Sequence, residues 1–142
     1  RLRGTLARAL PPGFELWLDG GDDAGAGVAL AAHLPSWADQ PLHIVVGMKK
    51  GKASGDFLRP LIPFATTLTA VAEAGQHLAM SVDEIIAASG GAARPGPTVA
   101  EALARIAREE KPGRVLVCGS LYLAGEVLKA EAALPADAAP LT

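Results

Sequence analysis

The stretch from 14 to 34, FELWLDGGDDAGAGVALAAHL, constrains this chain most: a run with strand character stops at Asp19, crosses two glycines and enters a helix of small residues. Phe14, Leu16 and Leu18 supply one apolar face and Trp17 lies between them, the pattern of a strand covered on both sides in an α/β sheet. Gly20 and Gly21 can take backbone angles closed to other residues, and Asp22 or Asp23 can then cap the helix by accepting from its first free amides. In an open parallel sheet, the carboxyl end of a strand and the helix that follows face the crevice where ligands bind. Asp19 is expected at its lip.

A chain of 142 residues can build one domain with its own core and is too short for two ordinary ones. We expect a single domain over 1–134 and a loosely held tail over 135–142, PADAAPLT, which has no periodicity. Half the residues are apolar and few are aromatic, which favours small helices packed on a sheet over an aromatic-rich sandwich. The formal charge of −2 and the scatter of Lys and Arg leave no basic stripe, so nucleic acid is not an expected partner. No apolar run reaches the roughly 20 residues that span a bilayer, so no membrane is expected either. Cys118, the single cysteine, excludes an internal disulfide and any multi-cysteine metal site, and points to an intracellular, cytoplasmic protein. The chain begins at Arg1 with neither methionine nor a signal-peptide pattern, and is read as a piece of something longer.

Along the chain, Leu2, Leu6 and Leu10 stand at helical spacing, although Gly4 leaves a short edge strand open, and Pro11, Pro12 and Gly13 end the segment. Gly25 and Gly27 would each cost an exposed helix about 1 kcal/mol, so they suggest close approach to a strand or a ligand. His33 suits the field at a helix C-terminus. LHIVV, 42–46, reads as a second buried strand that runs into Gly47, Met48 and the loop KKGK. Lys49, Lys50 and Lys52 can hold phosphate or carboxylate there, although spacing alone favours a solvated loop.

Residues 54–61 read as a short helix capped by Ser54 with Phe57, Leu58 and Leu61 inward, and 65–71 as a third strand. Ser81 with Glu84, and Thr98 with Glu101, have the spacing of two capping boxes. The first helix closes at Gly90 and Gly91; the second buries Val99, Ala102, Leu103 and Ile106. RPGP between them reads as a linker with Arg94 exposed, and Glu73 and His77 as surface loop. RVLVC, 114–118, is the fourth strand, turned by Gly119 and Ser120 into the helix SLYLAGEVLKAEAAL. Ser120 reads as a cap before a ligand hydroxyl, and Cys118 as a small buried hydrophobe.

Strands alternating with helices, with glycine turns at the strand ends, predict an α/β, Rossmann-like, mostly parallel sheet with helices on both faces. The turn LDGGDDAGAG does not give G-x-G-x-x-G in register, and no G-x-x-x-x-G-K-[ST] loop is present.

Three stretches, LWLDGG with AGAGVALAAHL, IVVGMKKGK, and VLVCGSLYLAGEVL, together resemble the C-terminal domain of folylpolyglutamate synthase and dihydrofolate synthase, relatives of the Mur ligases. The order and spacing match over nearly the whole chain, and Arg1 and Leu2 look like the end of the P-[GA]-R-L segment that opens this domain. The resemblance implies a parent with an N-terminal P-loop ATPase domain, absent from this chain, that uses ATP and magnesium to convert a pteroate or folate carboxylate to an acyl phosphate. The amino group of L-glutamate then attacks it. By matched position, the resemblance implies Arg1, Asp19 and Lys52 on the nucleotide side and Asp22, Ser120 and Tyr122 on the glutamate side. The isolated domain is expected to be inactive.

The family usually writes D-G-A-H-N-P where this chain has Asp19, Gly20, Gly21, Asp22, Asp23 and Ala24, and the Asp after its loop lysine is Ala53 here. Two added carboxylates at a helix N-terminus compete for its amides and repel an anion. The alternatives are therefore a non-catalytic binding or assembly domain with a degenerate site, a Mur-type peptide ligase domain, and an acidic trio of Asp19, Asp22 and Asp23 recruited to a metal ion. Capping aspartates need fewer assumptions.

Overall fold

Five strands, all parallel, form one sheet in the order β1-β5-β2-β3-β4. The computed structural model describes residues 1–51 and 54–133, so the expected tail and Lys52 lie outside the described residues. The strands are β1 (Glu15–Leu18), β2 (Leu42–Val46), β3 (Thr67–Ala70), β4 (Arg94–Pro95) and β5 (Arg114–Cys118). The helices are α1 (Thr5–Ala9), α2 (Ala24–His33), α3 (Ser54–Leu58), α4 (Val82–Ala88), α5 (Val99–Glu109) and α6 (Leu121–Ala132), with 3₁₀ turns at Leu34–Trp37 and Ile62–Phe64.

Alternation along each strand divides the core into two layers. Ile44, Val46, Leu116 and Cys118 face α2, α3 and α4 through Phe57, Leu58 and Ile85. Val45, Val115 and Val117 face α5 and α6 through Leu103, Ile106, Leu123 and Val127, joined by Phe14 and Leu16 from the first strand segment. Trp17 packs on the opposite layer from Leu16, as its position between apolar residues predicts. Burying such side chains contributes about 1.5–3 kcal/mol each, which is why continuous apolar strands settle in the middle of the sheet. All five residues of β2 are buried.

Helix boundaries follow their caps. Ser81 and Glu84 make both bonds of a capping box at α4, and Thr98 accepts from Glu101 N at α5. The other acceptor at α5 is Glu73, whose Oε1 takes Val99 N at 2.6 Å, so a side chain expected on a surface loop fixes a helix start instead. The N-terminal segment satisfies both of its readings: Leu2 bridges Leu16 antiparallel at the open side of β1, and the five-residue α1 follows.

Three expectations are corrected. The linker RPGP contains β4, paired in parallel with β3, and its Arg94 is half-buried, with Nε on Thr69 Oγ1 at 3.3 Å and Nη1 3.6 Å from Glu110. Gly20 and Gly21 take no positive φ; Gly21 is needed for space, because a Cβ there would come within 2.6 Å of Ala26 Cβ. Gly27 comes close to the backbone of α3, at Phe57, rather than to a strand. Among the described residues no helix is long and apolar enough to cross a membrane.

Candidate functional site

Because every strand is parallel, the segments leaving their carboxyl ends emerge along one edge of the sheet. Asp19 follows β1, Gly119 and Ser120 follow β5, and Gly47 to Lys50 follow β2, on three neighbouring strands. Neighbouring strands lie roughly 4.8 Å apart, so the acidic turn and the lysine loop bracket the serine turn with roughly 10 Å between them. Backbone bonds continue the ladder past the strands, with Asp19 N on Val117 O at 3.0 Å and Gly47 N on Cys118 O at 3.1 Å.

The acidic turn is locally satisfied. Asp19 Oδ2 accepts from Gly21 N at 3.0 Å, and Asp23 Oδ1 accepts from Ala26 N at 2.8 Å as the N-cap of α2, while Asp22 is half-buried beside them. Among the described residues no group of three His, Cys, Asp or Glu side chains could hold a metal ion, so Asp19, Asp22 and Asp23 do not make the cation site considered from sequence. On the inner side of the turn a cleft of about 450 Å³ runs between β1 and α2, lined among others by Trp17, Asp19, Leu30, His33 and Trp37. His33 ends α2 and meets the Trp37 ring edge-on at 5.4 Å.

At the serine turn Gly119 takes φ 110°, which lets the chain reverse from β5 into α6. Ser120 is buried, and its Oγ accepts from Tyr122 N at 3.1 Å and Leu123 N at 3.4 Å, the cap its position predicts. A hydroxyl that accepts two amides still carries a proton to donate, so capping does not exclude a ligand contact. Burial, and next the negative charge of Asp19, push the Cys118 thiol far above its ordinary 9.0, which removes it as a nucleophile.

Tyr122, on the first turn of α6, is 42% exposed and has two neighbours that sequence spacing does not reveal. Lys49 Nζ lies 5.5 Å from its ring centroid, and the His77 ring meets it edge-on at 5.0 Å. The proposed residues do not all gather here. Arg1 is exposed with Nη1 4.0 Å from Glu15 Oε1, at the amino end of β1 and away from the carboxyl edge. Lys52 lies outside the described residues. Asp19, Asp22, Ser120 and Tyr122 belong to the shared edge, and Lys49 and His77 join them.

A family model described as dihydrofolate synthetase, C-terminal domain, matches residues 7–130. Solved structures with the same fold include Mycobacterium tuberculosis folylpolyglutamate synthase complexed with ADP, at 20% identity and TM-score 0.68 over 84% of this chain and 30% of that one. E. coli FolC in complex with DHPP and ADP aligns at 18% identity and TM-score 0.66, over 78% and 27%. The bifunctional folylpolyglutamate synthase/dihydrofolate synthase with Mn, AMPPNP and L-glutamate bound aligns at 21% and 0.68, over 80% and 28%. The chain thus spans about 30% of the length of the first of these, and at such identities the likeness establishes the fold. No curated protein matches the chain. From its matched residues and its all-parallel sheet, the chain belongs to the family of dihydrofolate synthetase C-terminal domains.

Proposed function

We propose that this chain is the glutamate-handling domain of an ATP-dependent ligase that joins L-glutamate to dihydropteroate or folate, and that it works beside an ATPase domain of the same polypeptide. The observation that carries the reading is the adjacency of the acidic turn, the serine turn and the lysine loop on one carboxyl edge. Solved relatives of the fold have been captured with ADP, and with Mn, AMPPNP and L-glutamate.

In the proposed reaction the γ-phosphoryl group of ATP would pass to the pteroate or folate carboxylate with loss of ADP. The glutamate amine, giving up a proton, would displace phosphate from the acyl phosphate; a divalent cation would neutralise the nucleotide phosphates. The described residues of this chain make neither a cation cluster nor a P-loop, so holding those groups falls to the ATPase domain, with Asp19 and Lys52 of this chain on the nucleotide side. Arg1 reaches that side only by leaving Glu15. The chain's own task is to bind and orient the amino acid. Asp22 accepts from the ammonium, the Ser120 hydroxyl and the amide-rich start of α6 receive carboxylate oxygen, and Tyr122 flanks it. Such fixed donors act by positioning the amine rather than by bond chemistry.

The test is ADP release by the polypeptide carrying this chain together with its ATPase domain, given L-glutamate and either dihydropteroate or a folate. Release that depends on both substrates supports the ligase; none with any pteroate or folate overturns it. A second reading, a non-catalytic binding or assembly domain, is favoured by Asp22 and Asp23 standing at the helix N-terminus where anions would bind. In that case Asp22→His with Asp23→Asn raises affinity for glutamate or nucleotide, and an unchanged affinity argues against a lost site. Folate against UDP-muramoyl acceptors separates the ligase from a Mur-type peptide ligase. The cytoplasm is the setting this reading implies.

A further inference from the structure

We propose that Lys49, His77 and Tyr122 form a single carboxylate-binding site for the side chain of the incoming dicarboxylic amino acid, an assignment that rests on the ligase reading above. Lys49 is half-buried, and among the described residues its ammonium takes part in no ion pair; it lies instead 5.5 Å from the centroid of the Tyr122 ring. An ammonium held beside an aromatic face keeps its N–H donors for an anion. His77, whose ring meets the same Tyr122 ring edge-on at 5.0 Å, adds a second donor-bearing group, and the exposed phenol a third.

The platform is built rather than incidental. The loops after β2 and β3 are zipped together by Lys50 N on Leu78 O and Met80 N on Met48 O, both 2.8 Å, and by an antiparallel bridge between Lys49 and Ala79. Gln76 is buried between them, donating Nε2 to Met48 O at 3.3 Å and keeping a buried Oε1 without a partner. Leu78 takes φ 49°, the one non-glycine residue with positive φ among those described, directly after His77. A branched side chain in that region stores strain, and such strain gathers where a side chain must be held in one place.

The charge pattern selects the ligand. One lysine matches one carboxylate, whereas the carboxylates of Asp19, Asp22 and Asp23 stand at the far side of the serine turn, where a positive ammonium is favoured and a second anion is not. An amino acid with an ammonium at one end and a side-chain carboxylate at the other therefore lies along the edge from β1 towards β2. Its amide analogue loses the charge that Lys49 recognises.

The test titrates the 142-residue chain with L-glutamate, L-glutamine and inorganic phosphate, reading the NMR signals of the His77 imidazole and the Tyr122 ring. Glutamate is expected to shift both, with glutamine about tenfold weaker, the scale of one charge-assisted hydrogen bond. Lys49→Met keeps the apolar stem on the ring and is expected to weaken glutamate binding about tenfold, while Lys49→Arg keeps the charge and retains most of it. An unchanged melting temperature in both variants shows the fold intact. No shift with glutamate, an equal response to glutamine, or phosphate binding as strong as glutamate overturns the assignment. Should the parent polypeptide release ADP with folate and glutamate while Lys49→Met leaves KM for glutamate unchanged, the ligase reading stands and this assignment falls alone.

Discussion

Gly27 of α2 faces the backbone of Phe57 in α3 so closely that a Cβ would come within 2.5 Å of the Phe57 carbonyl oxygen and 3.1 Å of its Cα. Both atoms are main chain, so no side-chain rotation can make room. Gly27→Ala is expected to force the two helices apart and to destabilise the domain by about 1–3 kcal/mol. Gly25, two residues earlier, meets only Asp23 Oδ1 at 3.6 Å, an ordinary contact. Gly25→Ala should therefore raise stability by up to about 1 kcal/mol through helix propensity alone. Urea midpoints of the two variants, moving in opposite directions, check the difference.

That contrast marks what was legible in the sequence. Two glycines in one helix signal that something comes close, but only the packing of α2 on α3 says which glycine is needed and by what. The strands LHIVV and RVLVC and the buried face of α5 could be read directly, because continuous apolar runs and helical spacing encode burial locally. Arg94–Pro95 could not: a two-residue strand with a proline has no period, and exists because Thr69 and Ala70 stand beside it in the sheet. The same holds at the site. Parallel topology brings Asp19 and Ser120 to one edge by a general rule, whereas Lys49, His77 and Tyr122 meet only through the path of two loops.

Cys118 gives stability a slope in alkali. Its thiol is buried and its ionisation pushed upward, so above the ordinary 9.0 the unfolded chain releases a proton that the folded chain retains. This contribution is complete below 9.0 and is lost as pH rises towards the raised folded value. Cys118→Ala is expected to flatten the alkaline fall in melting temperature. In the native protein a thiol reagent should react only at the rate of unfolding, and fast labelling in native buffer would contradict the burial.

Acid acts with the opposite sign at the surface. The Ser81 amide, then its hydroxyl, holds Glu84 below its ordinary 4.5, Arg105 does the same for Glu109, and Arg114 holds Asp39 below 3.8. Each carboxylate binds fewer protons when folded, so its contribution is present above the ordinary value and disappears as pH falls through the lowered one. All three are solvent-exposed, and salt should weaken the two arginine pairs more than the capping box. Glu84→Gln is expected to flatten the acid-side fall in melting temperature, and an acid profile unchanged by Glu84→Gln would show that the carboxylate's bond to the Ser81 amide adds no acid-sensitive stability.

Ser120 carries two separable duties, and replacing it with asparagine and aspartate distinguishes them. Its Oγ caps α6 through Tyr122 N and Leu123 N, so Ser120→Ala should cost about 1 kcal/mol whether or not a ligand binds. Asparagine and aspartate are equally good caps and nearly equal in size, so crowding at this buried position affects both alike. They differ in charge. Aspartate at a helix start gains from the positive end of α6 but loses stability by burying its charge at this position, and it sets a negative charge where the glutamate carboxylate is proposed to bind. Thermal melts of the two report that burial cost, while glutamate affinity, read where both variants are folded, falls about tenfold further in Ser120→Asp than in Ser120→Asn. Equal glutamate affinities in the two variants would leave Ser120 with its cap alone and move the carboxylate elsewhere on the edge.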